Sequence, residues 1–141
     1  MKILFVGETW KGSSARSLRE GLESIPEVLI DEVDEDHYLP RYKSKILRGM
    51  NRIFNRWQIA ELESEILDKI NSFEPNVLIV YKGCGINSLF LQKIRRRSIN
   101  PLLVNIFPDQ SPHVHGKTLQ NAIGFYDYVI STKPFHPAKW K

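Results

Sequence analysis

The first eighteen residues run from an apolar strand, Lys2-Ile-Leu-Phe-Val6, through Gly7-Glu-Thr-Trp-Lys-Gly-Ser-Ser14 into a helical pattern beginning near Ala15. An unbroken apolar strand that meets a glycine and yields to a serine-capped helix is the opening of a parallel α/β sheet. Strands covered on both faces have no solvent side and so do not alternate apolar with polar residues. Four more short runs share this character: residues 28–33, 77–81, 102–107 and 126–130. Helical patterns separate them at residues 15–24, 46–73, 88–97 and 117–124. The alternation predicts an α/β fold, a Rossmann-like open parallel five-stranded sheet with helices on both faces. In such a sheet, ligands bind beyond the carboxyl ends of the strands, where loops and helix N-termini present N–H groups.

A chain of 141 residues with 42% hydrophobic content suits one domain with a real core. We expect that domain over residues 1–134, with 135–141 as a tail or the start of a linker. The N-terminus lacks the pattern of a secretory signal. The single cysteine, Cys84, excludes an internal disulfide framework and suits a reducing cytoplasm, the expected location.

Charge is unevenly placed. Glu27, Asp31, Glu32, Asp34, Glu35 and Asp36 form an acidic stretch. It is followed by a basic one, Arg41, Lys43, Lys45, Arg48, Arg52 and Arg56, at the start of the longest helical pattern. The later turns of that helix carry Glu61, Glu63, Glu65 and Asp68, opposite to what the helix dipole favours. Two readings follow: pairing between the two stretches, or a basic ledge for an anionic partner such as a membrane surface. Unbroken, the helix would be about 40 Å long. Arg95-Arg96-Arg97 sits at a helix end, where the dipole and water suffice to explain it, so nucleic acid is not an expected partner.

The loops at the carboxyl edge carry the candidate chemistry. Gly7, Lys11, Gly12, Ser13 and Ser14 have the glycine spacing of a phosphate-binding P-loop, but Ser13 stands where its lysine belongs. What remains is a glycine turn, two hydroxyls and a helix N-terminus able to hold a phosphate or a sugar hydroxyl, or simply a capped strand-to-helix turn. After the third strand, Lys82 and Gly83 open a second glycine turn, in which Cys84 reads as a small packed thiol. After the fourth, Asp109 and His113 are the acid–base candidates, since imidazole titrates near neutrality. His113-x-His115 beside Asp109 lacks a second half for a metal site, and none is expected. Ser131-Thr132-Lys133-Pro134 has the lysine–proline of phospho-receiver domains, yet the third strand ends in Tyr81-Lys82 instead of an aspartate. Trp10, Trp57 and Trp140 could stack on sugar rings, although core packing is the better account of Trp57.

Four segments in order resemble the N-terminal half of CgeB-like (spore-maturation type) glycosyltransferases of the GT-B fold. They are residues 2–14, 75–86 (Pro-Asn-Val-Leu-Ile-Val-Tyr-Lys-Gly-Cys-Gly-Ile), 103–110 (Leu-Val-Asn-Ile-Phe-Pro-Asp-Gln) and 126–133 (Tyr-Asp-Tyr-Val-Ile-Ser-Thr-Lys). Gln110 departs from the second acid usual after the Pro-Asp pair. The resemblance implies the acceptor-side domain of a nucleotide-sugar-dependent glycosyltransferase, of hexosyltransferase type if complete. It needs no cofactor beyond the nucleotide-sugar donor as substrate. It also implies a sugar or glycan acceptor, Asp109 or His113 as base if transfer inverts, and a C-terminal donor-binding domain without which this chain is inactive. A standalone, non-catalytic Rossmann-like binding module is the alternative.

Overall fold

The structure is a computed structural model that describes residues 1–39, 45–109 and 117–133, with the side chains of 45–54 left aside. It contains β1 (Lys2–Gly7), α1 (Ser14–Glu23), β2 (Leu29–Asp34), α2 (Glu35–Tyr38), α3 (Lys45–Phe73), β3 (Val77–Tyr81), α4 (Ser88–Arg95), β4 (Leu102–Phe107), α5 (Lys117–Ala122) and β5 (Tyr128–Ser131). The five strands form one sheet in the order β2-β1-β3-β4-β5, every neighbouring pair parallel. Among the described residues no helix is long and apolar enough to cross a membrane.

Side-chain alternation along β1 divides the core in two. Ile3 and Phe5 face Ala15, Leu18 and Leu22 of α1, together with Ile79, Tyr81 and Val104. Leu4 and Val6 face the other way, into a larger cluster with Leu62, Ile66 and Ile70 of α3, Phe90, Leu91 and Ile94 of α4, and Ala122 of α5. The fully buried aliphatics of this cluster contribute roughly 1.5–3 kcal/mol each. The unequal split follows from right-handed crossovers. The chain moves one way across the sheet from β1 to β2 and the opposite way from β2 onward. α1 therefore packs on one face and α3, α4 and α5 on the other. That reversal places a topological switch point between β1 and β3.

The ends of elements have local causes. Ser13 caps α1, its hydroxyl accepting from the Arg16 N–H at 3.1 Å. Asn87 caps α4, its side chain accepting from the Phe90 N–H at 2.9 Å. The long helix is unbroken over 29 residues. It stops where Glu74 turns left-handed (φ 51°) ahead of Pro75. Two residues of the acidic stretch pair within the described residues: Asp31 with Lys69 near the far end of α3, and Glu32 with Arg19 of α1, at 2.6 and 2.7 Å. Trp57 is a correction to the sequence reading. It is 76% exposed rather than packed in the core, because the α3 face that meets the sheet runs through Leu62, Ile66 and Ile70 instead.

Candidate functional site

The switch point brings the ends of β1 and β3 side by side, with Val6 in register with Val80. Gly7 ends β1 as glycine for a packing reason. A Cβ there would stand 3.0–3.3 Å from Phe5, Tyr81 and the Ala15 methyl, so the tight packing of β1, β3 and α1 favours a residue without a side chain. The chain then delivers Glu8, only 4% exposed, into the crevice. Burial of this carboxylate is offset by partners. The Lys82 ammonium donates to Oε1 at 3.0 Å, and the Trp10 indole N–H donates to Oε2 at 3.2 Å. Trp10 itself remains 51% exposed, so its ring forms a flat apolar surface beside the ion pair.

Lys82 reaches Glu8 through a strained turn. The Gly83 N–H donates to the Tyr81 carbonyl two residues back, at 2.8 Å, and Lys82 between them has φ 62°. A three-residue turn with a left-handed, non-glycine centre is uncommon and costs on the order of 1–3 kcal/mol. Asn105, fully buried in the middle of β4, holds it. Its Nδ2 donates to the carbonyls of Val80 and Lys82, each at 3.2 Å, and the Lys82 N–H donates to the Ile106 carbonyl at 2.9 Å. Behind the turn, the Tyr126 hydroxyl and the Asn105 Oδ1 are buried with no hydrogen-bond partner among the described residues. Burial, and next the negative charge of Glu35, push the Tyr126 phenol far above its ordinary value; the nearby Asn105 side chain acts weakly the other way.

The first loop closes the opposite wall. Ser13 Oγ donates to the Glu8 carbonyl at 3.0 Å while capping α1, so this hydroxyl is committed to structure. Ser14 accepts from the Tyr81 hydroxyl at 2.7 Å, tying α1 to β3. Thr9 donates to Asp34 at 2.6 Å, joining the loop to the end of β2. Gly12 adopts φ 95°, which lets the loop turn into the helix, and Lys11 stays exposed on its outer side.

Of the residues singled out from sequence, Gly7, Ser13, Ser14, Lys82 and Gly83 meet at this edge, and Lys11 and Gly12 lie on its rim. Asp109 follows Pro108 at the end of β4, half-buried on the same edge of the sheet. His113 and His115 lie outside the described residues, as do Arg41 and Lys43 and the side chains of Lys45, Arg48 and Arg52. Arg56 is described and exposed. Among the described residues there is no group of three or more His, Cys, Asp or Glu side chains placed to hold a metal ion.

Glu8 and Asn105 are the functional candidates that the sequence reading passed over, while Trp10, read there as a ring able to stack on sugars, lies beside Glu8. Glu8 had one available signal, an acid directly after the glycine of the first strand. Asn105 had another, an amide inside an otherwise apolar run. With this geometry in view, comparison with known proteins yields no match to a family model, a curated protein or a solved structure.

Proposed function

We propose that this chain is the N-terminal, acceptor-side domain of a CgeB-like, nucleotide-sugar-dependent glycosyltransferase, contributing acceptor recognition and inactive without a donor-binding partner domain. The observation that carries the reading is the Glu8–Lys82 pair, held at 3.0 Å in the β1–β3 crevice with the exposed Trp10 ring hydrogen-bonded to it by its N–H edge. An exposed aromatic face, fixed by its N–H on a buried carboxylate, can stack on the apolar face of a sugar ring. Lys82 neutralises the carboxylate, so the crevice does not repel an anionic donor approaching from the facing domain.

In this reading the acceptor hydroxyl attacks the anomeric carbon of the donor and the nucleoside diphosphate departs. Inverting transfer needs a base for the hydroxyl proton, and Asp109 or His113 takes that role. Retaining transfer needs none from this side. Glu8 acts from behind, holding Trp10 and Lys82 in place so that the exposed indole ring can stack on the acceptor. Binding of the purified chain to a glycan array tests the proposal. Binding to a defined set of glycans, lost in Glu8→Gln and Trp10→Ala variants that remain folded, is the expected outcome; a folded chain that binds no glycan refutes it.

A second reading, a non-catalytic module docking on an anionic membrane surface, draws on one observation. Trp57, 76% exposed, lines an open groove of about 390 Å³ with Arg56, Ala60, Glu61 and Ser64. An exposed tryptophan beside arginine on a helix with a basic first half suits the interface of an anionic bilayer. Co-sedimentation with phosphatidylserine vesicles, weakened by salt and by Trp57→Ala, would favour this module over the transferase domain.

A further inference from the structure

The two margins of the sheet are built differently. β2 closes one side, and its six residues include Asp31, Glu32 and Asp34. Charged side chains along a marginal strand keep a further strand from adding to it. β5 closes the other side with Tyr128-Val-Ile-Ser131, four residues without a charge, a proline or a glycine. Among the described residues its strand partner is β4 alone.

One face of β5 is also bare, and the crossovers explain why. Tyr128 and Ile130 stand in register with Val104 and Ile106, so their side chains share the α1 face of the sheet. The core on that face takes residues from β1 to β4 and none from β5, because the helices that follow α1 pack on the other side. Tyr128 is therefore 60% exposed and Ile130 51%. Val129, on the opposite face, packs against the larger cluster and anchors the strand.

This strand is complementary to itself. Antiparallel pairing of two copies about a two-fold axis at Val129 sets Tyr128 opposite Ile130 of the second copy, and the same contact recurs across the axis. An aromatic residue opposite a β-branched one is among the stabilising cross-strand pairs. Asp127 falls opposite the neutral Ser131, so no like charges face each other. The same pairing along β2 would crowd the acids of two copies together, so charge selects β5. We infer that β5 is a self-association edge, along which a second copy of this chain joins its sheet to the first. The inference is independent of what the β1–β3 crevice binds. Four residues a side fall short of the roughly 1,600 Å² of a standard interface. The dimer is accordingly weak and reversible, with Kd on the order of 10–100 µM.

Sedimentation equilibrium of the full chain, from about 1 to about 500 µM, should show monomer and dimer exchanging. Amide hydrogen exchange at the two ends of that range should slow in residues 128–131 at the higher concentration and stay unchanged along β2. Tyr128→Lys/Ile130→Lys sets like charges opposite each other twice and should raise Kd about tenfold or more. Tyr128→Glu/Ile130→Glu should do the same, and an equimolar mixture of the two variants should form the mixed dimer. Both side chains are exposed, so thermal melts should show each variant folded. Leu29→Lys, an exposed change on the β2 margin, should leave the dimer intact. A chain that stays monomeric at every concentration overturns the inference. So does a dimer without slowed exchange at β5, one that survives both charged variants, or one that Leu29→Lys abolishes. Charged variants that are monomeric and fail to combine on mixing overturn it as well, since their loss of pairing then has nothing to do with facing strands.

Discussion

Replacing Gly83 by alanine sets two costs against each other at the centre of the candidate site. Gly83 has φ 73°, a region in which an L-residue loses roughly 1–2 kcal/mol. The new methyl would stand 2.6 Å from Val80 Cγ1, 3.3 Å from the Tyr126 hydroxyl and 3.4 Å from Asn105 Nδ2. Val80 is buried and β-branched, so its methyl cannot rotate away, and overpacking of this kind adds roughly 1–3 kcal/mol. The total is about 2–5 kcal/mol, a large share of the roughly 5–15 kcal/mol that holds a domain folded. For a chain of 141 residues, each kcal/mol moves Tm by about 3 °C, which places the loss near 6–15 °C. Two other glycines separate the contributions. Gly12 has φ 95° but only Trp10 Cζ3 nearby, at 3.6 Å, so Gly12→Ala should cost roughly 1–2 kcal/mol of backbone strain alone. Gly21, inside α1 with nothing within 4 Å, should gain roughly 0.5–1 kcal/mol as alanine. Urea denaturation followed by circular dichroism measures all three. If Gly83→Ala unfolds at the same urea concentration as Gly12→Ala, the contact with Val80 carries no energy and the reasoning is wrong.

Three further outcomes follow from single contacts. Burial opposes ionisation of Asp127, but the Arg95 guanidinium at 2.5 Å and the Leu103 N–H at 2.7 Å outweigh it and hold the carboxyl below its usual value. A lowered carboxyl contributes stability above its unfolded pKa of about 3.9 and loses it as pH falls through the folded value, so Asp127→Asn should flatten the decline in urea midpoint below about pH 4. An equally steep decline in the variant would show that Asp127 is not its source. Ser13→Ala removes both the α1 cap and the bond to the Glu8 carbonyl, and should cost roughly 1–2 kcal/mol in the same assay. Tyr126→Phe deletes a buried hydroxyl that lacks a partner among the described residues, so stability should hold or rise by up to about 1 kcal/mol; a clear loss would reveal a bond that the geometry does not contain.

Much of the fold was legible because it depends on local pattern. Five apolar runs and the helices between them require a parallel sheet covered on both faces, and Ser13 sits where a helix start demands a cap. Boundaries moved by a residue or two at helix ends, as where α4 stops at Arg95 with Arg96 as its C-cap. The short helix α2 went unseen because four residues leave no periodic trace. Trp57 was misplaced for a different reason. A long helix offers several apolar stripes, and only the sheet decides which one it covers.

The sequence by itself determined that the opening strand and its glycine loop would lie at the carboxyl edge of a parallel sheet, since the handedness of the crossovers follows from simple steric rules. Tertiary structure alone decided what that edge contains. Glu8 and Lys82 are 74 residues apart, and they meet only because the chain leaving β2 crosses over β1 to place β3 on its other side. Lys82 points at Glu8 only because Asn105, on a third strand, holds its turn in a conformation that local preference disfavours. Side-chain pairing across parallel strands is a property of register, and no window of consecutive residues contains it.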